Sequence, residues 1–279
     1  MSSTAPSYSP LTSLCLAAYS IIKRSGALDI GICKRAFLEV YFFYKRHLED
    51  PFYNFSRRYP ALFRDGIVLD IGANCGYTAL VFAGSNAKKV YAFEPDPDNL
   101  NAIKAIVTRK SLSQTIVIVP AAVGSEDGSL QLWRNLGHHA DHRIATESFK
   151  AEHQDTAQTT ITVPVVSIDS YLEKNRINDE VTFIKIDVQG FEPPVCQGLI
   201  RTLERFPEIS VALEYCPVQI DELGFSSSDL LSFFRSKGFT LYLMKRDGSL
   251  STFSNEDLAA IMTARAYADI LATRLPLTI

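Results

Sequence analysis

From residue 66 onward the chain alternates short apolar runs with longer stretches in which apolar residues recur at helical spacing. Runs at 67–71, 89–93, 115–119, 181–186, 209–213 and 239–244 have the composition of strands buried on both faces. Stretches at 77–83, 97–109, 192–205 and 227–237 predict helices. This alternation predicts an α/β domain built on a mainly parallel sheet with helices on both faces. Its ligand is expected at the carboxyl ends of the strands, near a switch in strand order. Residues 120–134, with Gly124 and Gly128, predict a short hairpin, and 161–166 an extended segment. Between them, 135–158 is polar and histidine-rich, and longer than an ordinary connection, as functional lids are. Residues 254–274 predict one amphipathic helix opened by a Ser254/Asp257 capping arrangement. Upstream, 11–59 follows a helical pattern broken at Gly26 and Gly31. We divide the chain into an N-terminal helical extension, 1–60, and a domain, 61–279, carrying the histidine-rich insert at 135–158.

Composition narrows the class without naming a function. With 47% hydrophobic and 21% charged residues, the 279-residue chain is not disordered. A net charge of -3 argues against a nucleic-acid partner. Five cysteines without a CxxC pair argue against a zinc ribbon or disulfide scaffold and fit a reducing, cytoplasmic setting. No run reaches the roughly 18–20 apolar residues of a membrane span. The apolar stretch 11–22 is too short, and Lys23 and Arg24 follow it where a signal peptide needs preceding charge. The charge is uneven: residues 1–60 hold eight Lys/Arg and four Asp/Glu, leaving -7 for the remainder. Basic pairs at 34/35 and 45/46 lie eleven residues apart and so share a helix face. A solvated outer face is the favoured reading. Weak contact with an acidic membrane, or a mildly basic surface for an anionic acceptor, is the sharper one. The segment 11–59 is also a natural dimer surface or lid.

The most informative run is Asp70-Ile71-Gly72-Ala73-Asn74-Cys75-Gly76-Tyr77-Thr78, where a buried strand passes through a glycine loop into a helix. Asn74 and Tyr77 occupy the second and third glycine positions of the dinucleotide fingerprint, which disfavours a nicotinamide dehydrogenase. The loop leaves room for a smaller nucleoside, with Asp70 poised to reach an ammonium directly or through water. Glu94, followed by Pro95, ends the next strand 20 residues beyond Asn74. An acid there accepts hydrogen bonds from ribose hydroxyls. We assign Asp70, Gly72, Ala73, Asn74, Gly76, Tyr77, Thr78, Glu94 and Pro95 to this site. Cys75 reads as a small packing residue.

A third motif, Ile184-Lys185-Ile186-Asp187-Val188-Gln189-Gly190-Phe191-Glu192, ends a later strand. Together DIGANCGYT, YAFEPDPDN and IKIDVQGFEPPVCQG resemble the successive motifs of the FkbM family of S-adenosylmethionine-dependent methyltransferases, over about 66–214. The resemblance implies a seven-stranded class I, Rossmann-like sheet and methyl transfer to a hydroxyl of a sugar, glycoside or related natural product. It implies that Asp70, Gly72, Asn74 and Gly76 surround the methionine part of S-adenosylmethionine and Glu94 its ribose. Ala121 or Ala122 then lies near the adenine. The N-terminal helices and the histidine-rich insert match no family motif.

Alternation puts Lys185 and Asp187 on one side of their strand, with Asp187 at the edge facing the methyl donor. Asp187 is the first candidate to bind or deprotonate an acceptor hydroxyl, and it is counted with the cofactor-binding residues as well. Gln189 stands where many relatives carry Glu, so we give it no role needing charge. Glu214 ends the next strand and can project into the same cleft. His139 and His142, with His138 and Asp141, are the rival bases. With Glu192 and Glu214 they are also the side chains that a divalent metal could use, although a sulfonium leaving group requires none and we assign no metal site. Trp133 reads as core before ring-stacking partner. The alternatives to O-methylation are N- or carboxyl-methylation of a small molecule or protein and, less favoured, a non-catalytic binding or scaffold protein.

Overall fold

Residues 31–135, 142–152, 160–264 and 266–277 are described by a computed structural model. A helix α1 (Gly31–Tyr44) runs into a π-helical turn, Lys45–Glu49, and a short helix α2 (Phe52–Arg58). Three parallel strands come next, β1 (Ile67–Ile71), β2 (Lys89–Phe93) and β3 (Ile116–Val119), joined through α3 (Tyr77–Ala83) and α4 (Pro97–Arg109). The chain then builds β4 (Ala122–Val123), β5 (Gly128–Trp133), β6 (Arg143–Ile144) and β7 (Thr160–Val166). It returns to the main sheet with β8 (Val181–Ile186), β9 (Ser210–Tyr215), β10 (Thr240–Met244), β11 (Leu250–Thr252) and β12 (Ala268–Thr273).

Among the described residues the main sheet has eight strands in the order β11-β10-β12-β9-β8-β1-β2-β3. The five from β9 to β3 are parallel, and β12 lies antiparallel between β9 and β10. The chain direction across the sheet switches at the β1/β8 boundary, where a ligand site is expected. The eighth strand beyond the seven expected is β11, a three-residue addition paired antiparallel to β10 at the edge. No helix among the described residues is long and apolar enough to cross a membrane.

Three expectations are corrected. Residues 120–134 are not a hairpin, because β7 lies between β4 and β5. Six residue pairs join β5 to β7, a longer ladder than the two-residue β4 could offer. The 192–205 helix breaks into Glu192–Gln197 and Ile200–Arg205. At Gly198 a Cβ would come within 2.0 Å of the Gly124 carbonyl oxygen, so the backbone passes too closely for any other residue. The 254–274 segment forms its capping box, Ser254 Oγ accepting from the Asp257 amide at 3.1 Å, but the helix ends at Ala264. The chain continues instead into β12, whose Ile270, Leu271 and Ala272 are fully buried inside the sheet.

Alternation along β1 sends Ile67, Leu69 and Ile71 into one core and Val68 into the other. The second core holds an aromatic cluster: Phe63 lies 4.6 Å from Phe183 and 5.4 Å from Phe82, with Phe52 and Phe55 against the same rings. Each buried phenylalanine contributes roughly 1.5–3 kcal/mol. Phe52 and Phe55 therefore pin α2 to the sheet and fix the turn that precedes it.

Candidate active site

The loop after β1 is shaped by one close approach. Gly72 has φ +78°, and a Cβ there would sit 1.9 Å from the Asp187 carbonyl oxygen. The amides of Gly72 and Ala73 both donate to the Phe93 carbonyl at 3.0 Å. These bonds bring together the carboxyl ends of β1, β2 and β8. Asn74 follows in a left-handed conformation, φ +50°, and its amide donates to Glu94 Oε2 at 2.8 Å.

Asp70 is buried beneath this loop. Thr78 Oγ1 donates to its Oδ2 at 2.7 Å, and Lys185 Nζ lies 3.6 Å from its Oδ1. The same ammonium donates to the Gly72 carbonyl at 2.9 Å and lies 3.2 Å from Asp187 Oδ2. Burial alone would lower the Lys185 amine, but Asp187 and Asp70 outweigh it and hold it above its ordinary value. Lys185 is thus a charged post under the loop. Glu94 Oε1 accepts from the Asp96 amide at 2.8 Å and from Asn99 Nδ2 at 3.5 Å. Burial nevertheless pushes its carboxyl up to about 8.

Gly72, Asn74, Glu94, Pro95, Ala121, Ala122, Asp187, Glu214 and His142 line one cavity at these strand ends. Asp70, Ala73, Gly76, Tyr77 and Thr78 are not on its wall; they lie in or behind the loop. His139 lies outside the described residues, as do His138 and Asp141. The side chain of Glu192 is taken up by the loop, Oε1 accepting from the Val188 and Gly190 amides at 3.1 and 3.2 Å. Among the described residues, no group of three or more His, Cys, Asp and Glu is arranged to hold a metal.

The opposite wall is organised by an amide. Gln189, φ +54°, donates from Nε2 to Asp187 Oδ1 at 2.9 Å and to Glu214 Oε1 at 3.0 Å. Its Oε1 accepts from Gln219 Nε2 at 3.2 Å, which fixes which end of the amide faces the carboxylates. The two acids titrate apart. For Asp187, burial is outweighed by the Lys185 charge and the Gln189 bond, and the carboxyl lies below its ordinary value. For Glu214, burial and the nearby Asp187 charge both raise it well above.

Residues assigned no role at the site from the sequence complete this wall. Lys45, Glu49 and Tyr267 line the cavity, and an adjoining recess adds Asp50, Lys185 and Asp269. Lys45, half of a basic pair read as solvated stripe, turns inward and pairs with Glu49 at 2.8 Å. Asp269 was hidden inside an expected helix. His142 Nδ1 accepts from the Asn135 amide at 3.1 Å, and its Nε2 lies 3.8 Å from Asp96 Oδ2. Trp133 packs against Phe149 at 5.4 Å and beside the core, off the cavity wall. The Cys75 thiol is pushed up to about 12 by burial, as suits a packing residue.

A model of the family described as Methyltransferase FkbM domain matches residues 70–241. No curated protein matches the chain. Among solved structures, it is similar to Methyltransferase FkbM from Methylobacillus flagellatus KT, with 18% identity and a TM-score of 0.50 over 91% of this chain and 54% of that one. It is less similar to precorrin-6y C5,15-methyltransferase from Geobacter metallireducens GS-15, at 13% identity and TM-score 0.40 over 77% and 85%. An rRNA methylase from Streptococcus thermophilus stands at 11% and 0.44 over 82% and 99%. The likeness to the first of these is one of fold, and the chain spans about half of that protein's length.

Proposed function

The chain belongs to the FkbM methyltransferase family, and we propose that it transfers the methyl group of S-adenosylmethionine to a hydroxyl of a sugar, glycoside or related natural product. The observation that carries this reading is the Gln189 amide, which ties Asp187 and Glu214 into one carboxylate pair beside the glycine loop. An alcohol must be held in line with the methyl carbon and must lose its proton as the new bond forms. Two acids with pKa values pushed apart supply those two tasks.

The residues present suit the cofactor. Asn74 Oδ1 is buried without a hydrogen-bond partner, and Gly72 lines the cavity with no side chain of its own. Both suit the amino-acid end. Glu94 presents two oxygens, each already holding a backbone amide, to the ribose hydroxyls. Phe93, Ala121, Ala122 and Val123 offer apolar surface for a base. When bound, S-adenosylmethionine supplies an activated methyl group on a cationic sulfur.

On the chain's side, ionised Asp187 accepts the hydrogen bond of the hydroxyl and orients it. Glu214, the more basic partner, takes the proton. His142 is a poorer candidate, because its Nδ1 lone pair is taken by the Asn135 amide. Cys75, Cys196 and Cys216 are buried free thiols, in keeping with a cytosolic setting. Incubation of the full chain with methyl-labelled S-adenosylmethionine and a panel of glycans, glycosides and polyketides tests the reading. Label on oxygen is expected; label on nitrogen or a carboxylate would replace it with the corresponding alternative.

A further inference from the structure

Resting on that reading, we propose that the acceptor carries a protonated amine beside its hydroxyls, as in an amino sugar or amino alcohol, and that the recess next to Glu214 holds this ammonium group. Charge is the first ground. The recess is lined by Glu49, Asp50, Asp187, Glu214 and Asp269 against only Lys45 and Lys185. Lys45 is taken by Glu49 at 2.8 Å, and Lys185 by Asp187 at 3.2 Å. Among the described residues, no Lys or Arg lies within ion-pair distance of Asp50, Glu214 or Asp269. Asp269 and Glu214 are also directly opposed across the β12/β9 ladder, where like charges destabilise a sheet. Burial pushes Asp50 up to about 6 and Asp269 up to about 7, so these carboxyls either stay protonated or take on a cation.

The second ground is independent of these acids. Gln219 is only 4% exposed, lines the main cavity, which shares Glu49, Asp187 and Glu214 with the recess, and leaves its carbonyl oxygen without a partner. It cannot turn over to offer its NH2 instead. That nitrogen is committed to Gln189 Oε1, and the Gln189 nitrogen is committed to two carboxylates that only accept. The wall therefore presents hydrogen-bond acceptors and negative charge, which an ammonium with its N–H donors complements and a carboxylate or phosphate does not. This reverses the expectation of an anionic acceptor drawn from the basic N-terminal segment. Lys45, Glu49, Asp50 and Asp269 lie outside the matched 70–241 region, so much of this selectivity is built by the chain's own flanking segments.

Calorimetry on the full chain, saturated with S-adenosylhomocysteine, separates this inference from the transfer reading because it needs no turnover. The probes are ethanolamine and the methyl glycosides of glucosamine, N-acetylglucosamine and glucuronic acid. The glucosaminide is expected to bind about ten-fold tighter than its N-acetyl partner, and the glucuronide most weakly. The ten-fold advantage should shrink to about two-fold in Asp269→Asn and, as a second variant, in Asp50→Asn, and weaken with salt. Equal binding of the amine and N-acetyl glycosides, tighter binding of the glucuronide, no binding by either amine, or an advantage undiminished in both variants would each overturn it. Amine binding without label on oxygen in the transfer assay would leave this inference standing and remove the O-methyl reading.

Discussion

The two halves of the cavity handle buried charge in opposite ways. On the cofactor side, Glu94 is met by three donors and Asp70 by Thr78 and Lys185. On the acceptor side, Glu214 has one amide donor and faces Asp269 across the ladder. Both sides bury carboxylates, yet the first meets them with more donors, leaving Asp70 Oδ1 without a hydrogen bond but beside the Lys185 charge. A site completed by the protein alone is a preformed receptor for one invariant cofactor. A site left in charge deficit is completed by its substrate, and is where specificity can be written. Burying charge without a partner costs stability, and such violations of local consistency belong at functional sites.

The largest effect that would sharpen this contrast comes from Gly72→Ala. Its Cβ would collide with the Asp187 carbonyl at a positive φ, with no flexible side chain to move aside. We expect a loss of about 3 kcal/mol or more in denaturant unfolding, together with loss of cofactor binding. Next is Glu94→Ala, which should weaken S-adenosylmethionine binding about 10- to 100-fold by calorimetry. Unchanged affinity would break the comparison on its cofactor side.

On the other side, Gln189→Glu replaces a donor with a third acid between Asp187 and Glu214. Turnover near neutral pH should fall about ten-fold, and the acidic limb of the pH–rate profile should move upward, because added negative charge raises both neighbours. A merely structural role for the amide would lower the rate without moving that limb.

The smallest effect is on stability. Burial raises Asp50 to about 6, Glu192 and Asp269 to about 7 and Glu94 to about 8. The folded chain keeps these protons where the unfolded chain, with values of about 4, has released them. Their contribution is therefore complete below about pH 4 and is lost as pH rises through about 6 to 8. The Tm of the ligand-free protein should drop by about 5 °C between about pH 5.5 and about pH 8.5. A flat profile would mean that these groups are solvated, Asp50 and Asp269 of the acceptor side among them.

The same division marks what could be read from one dimension. The glycine loop, Glu94 and Asp187 are local: each ends a buried strand at a recognisable turn, and adjacent parallel strands bring their ends together. The parallel strands were legible for the same reason, since apolar runs bounded by turn residues define them. β12 was not. A six-residue run such as Ala268–Thr273 carries no period that tells a buried strand from the tail of a helix, and no Gly or Pro separates it from Ala264. Missing β12 meant missing Asp269 and Tyr267. Lys45 was misread for a related reason. A basic pair on a helical stretch is ordinarily solvated, and only the aromatic anchor of α2 turns it inward. The 120–134 segment failed because a hairpin is a local inference, whereas its true partner, β7, lies beyond the insert.

The insertion of β12 between β9 and β10 has a consequence for how the fold comes into being. Both neighbours precede it in the chain, so during synthesis they must wait, edges open, for the strand that will separate them. Pairings over long sequence separations form slowly and leave strand edges exposed meanwhile. The opposed acids Glu214 and Asp269 meet only when that gap closes. The recess is thus among the last parts of the molecule to assemble, and truncation before residue 268 would leave it without Asp269 and the strand that carries it.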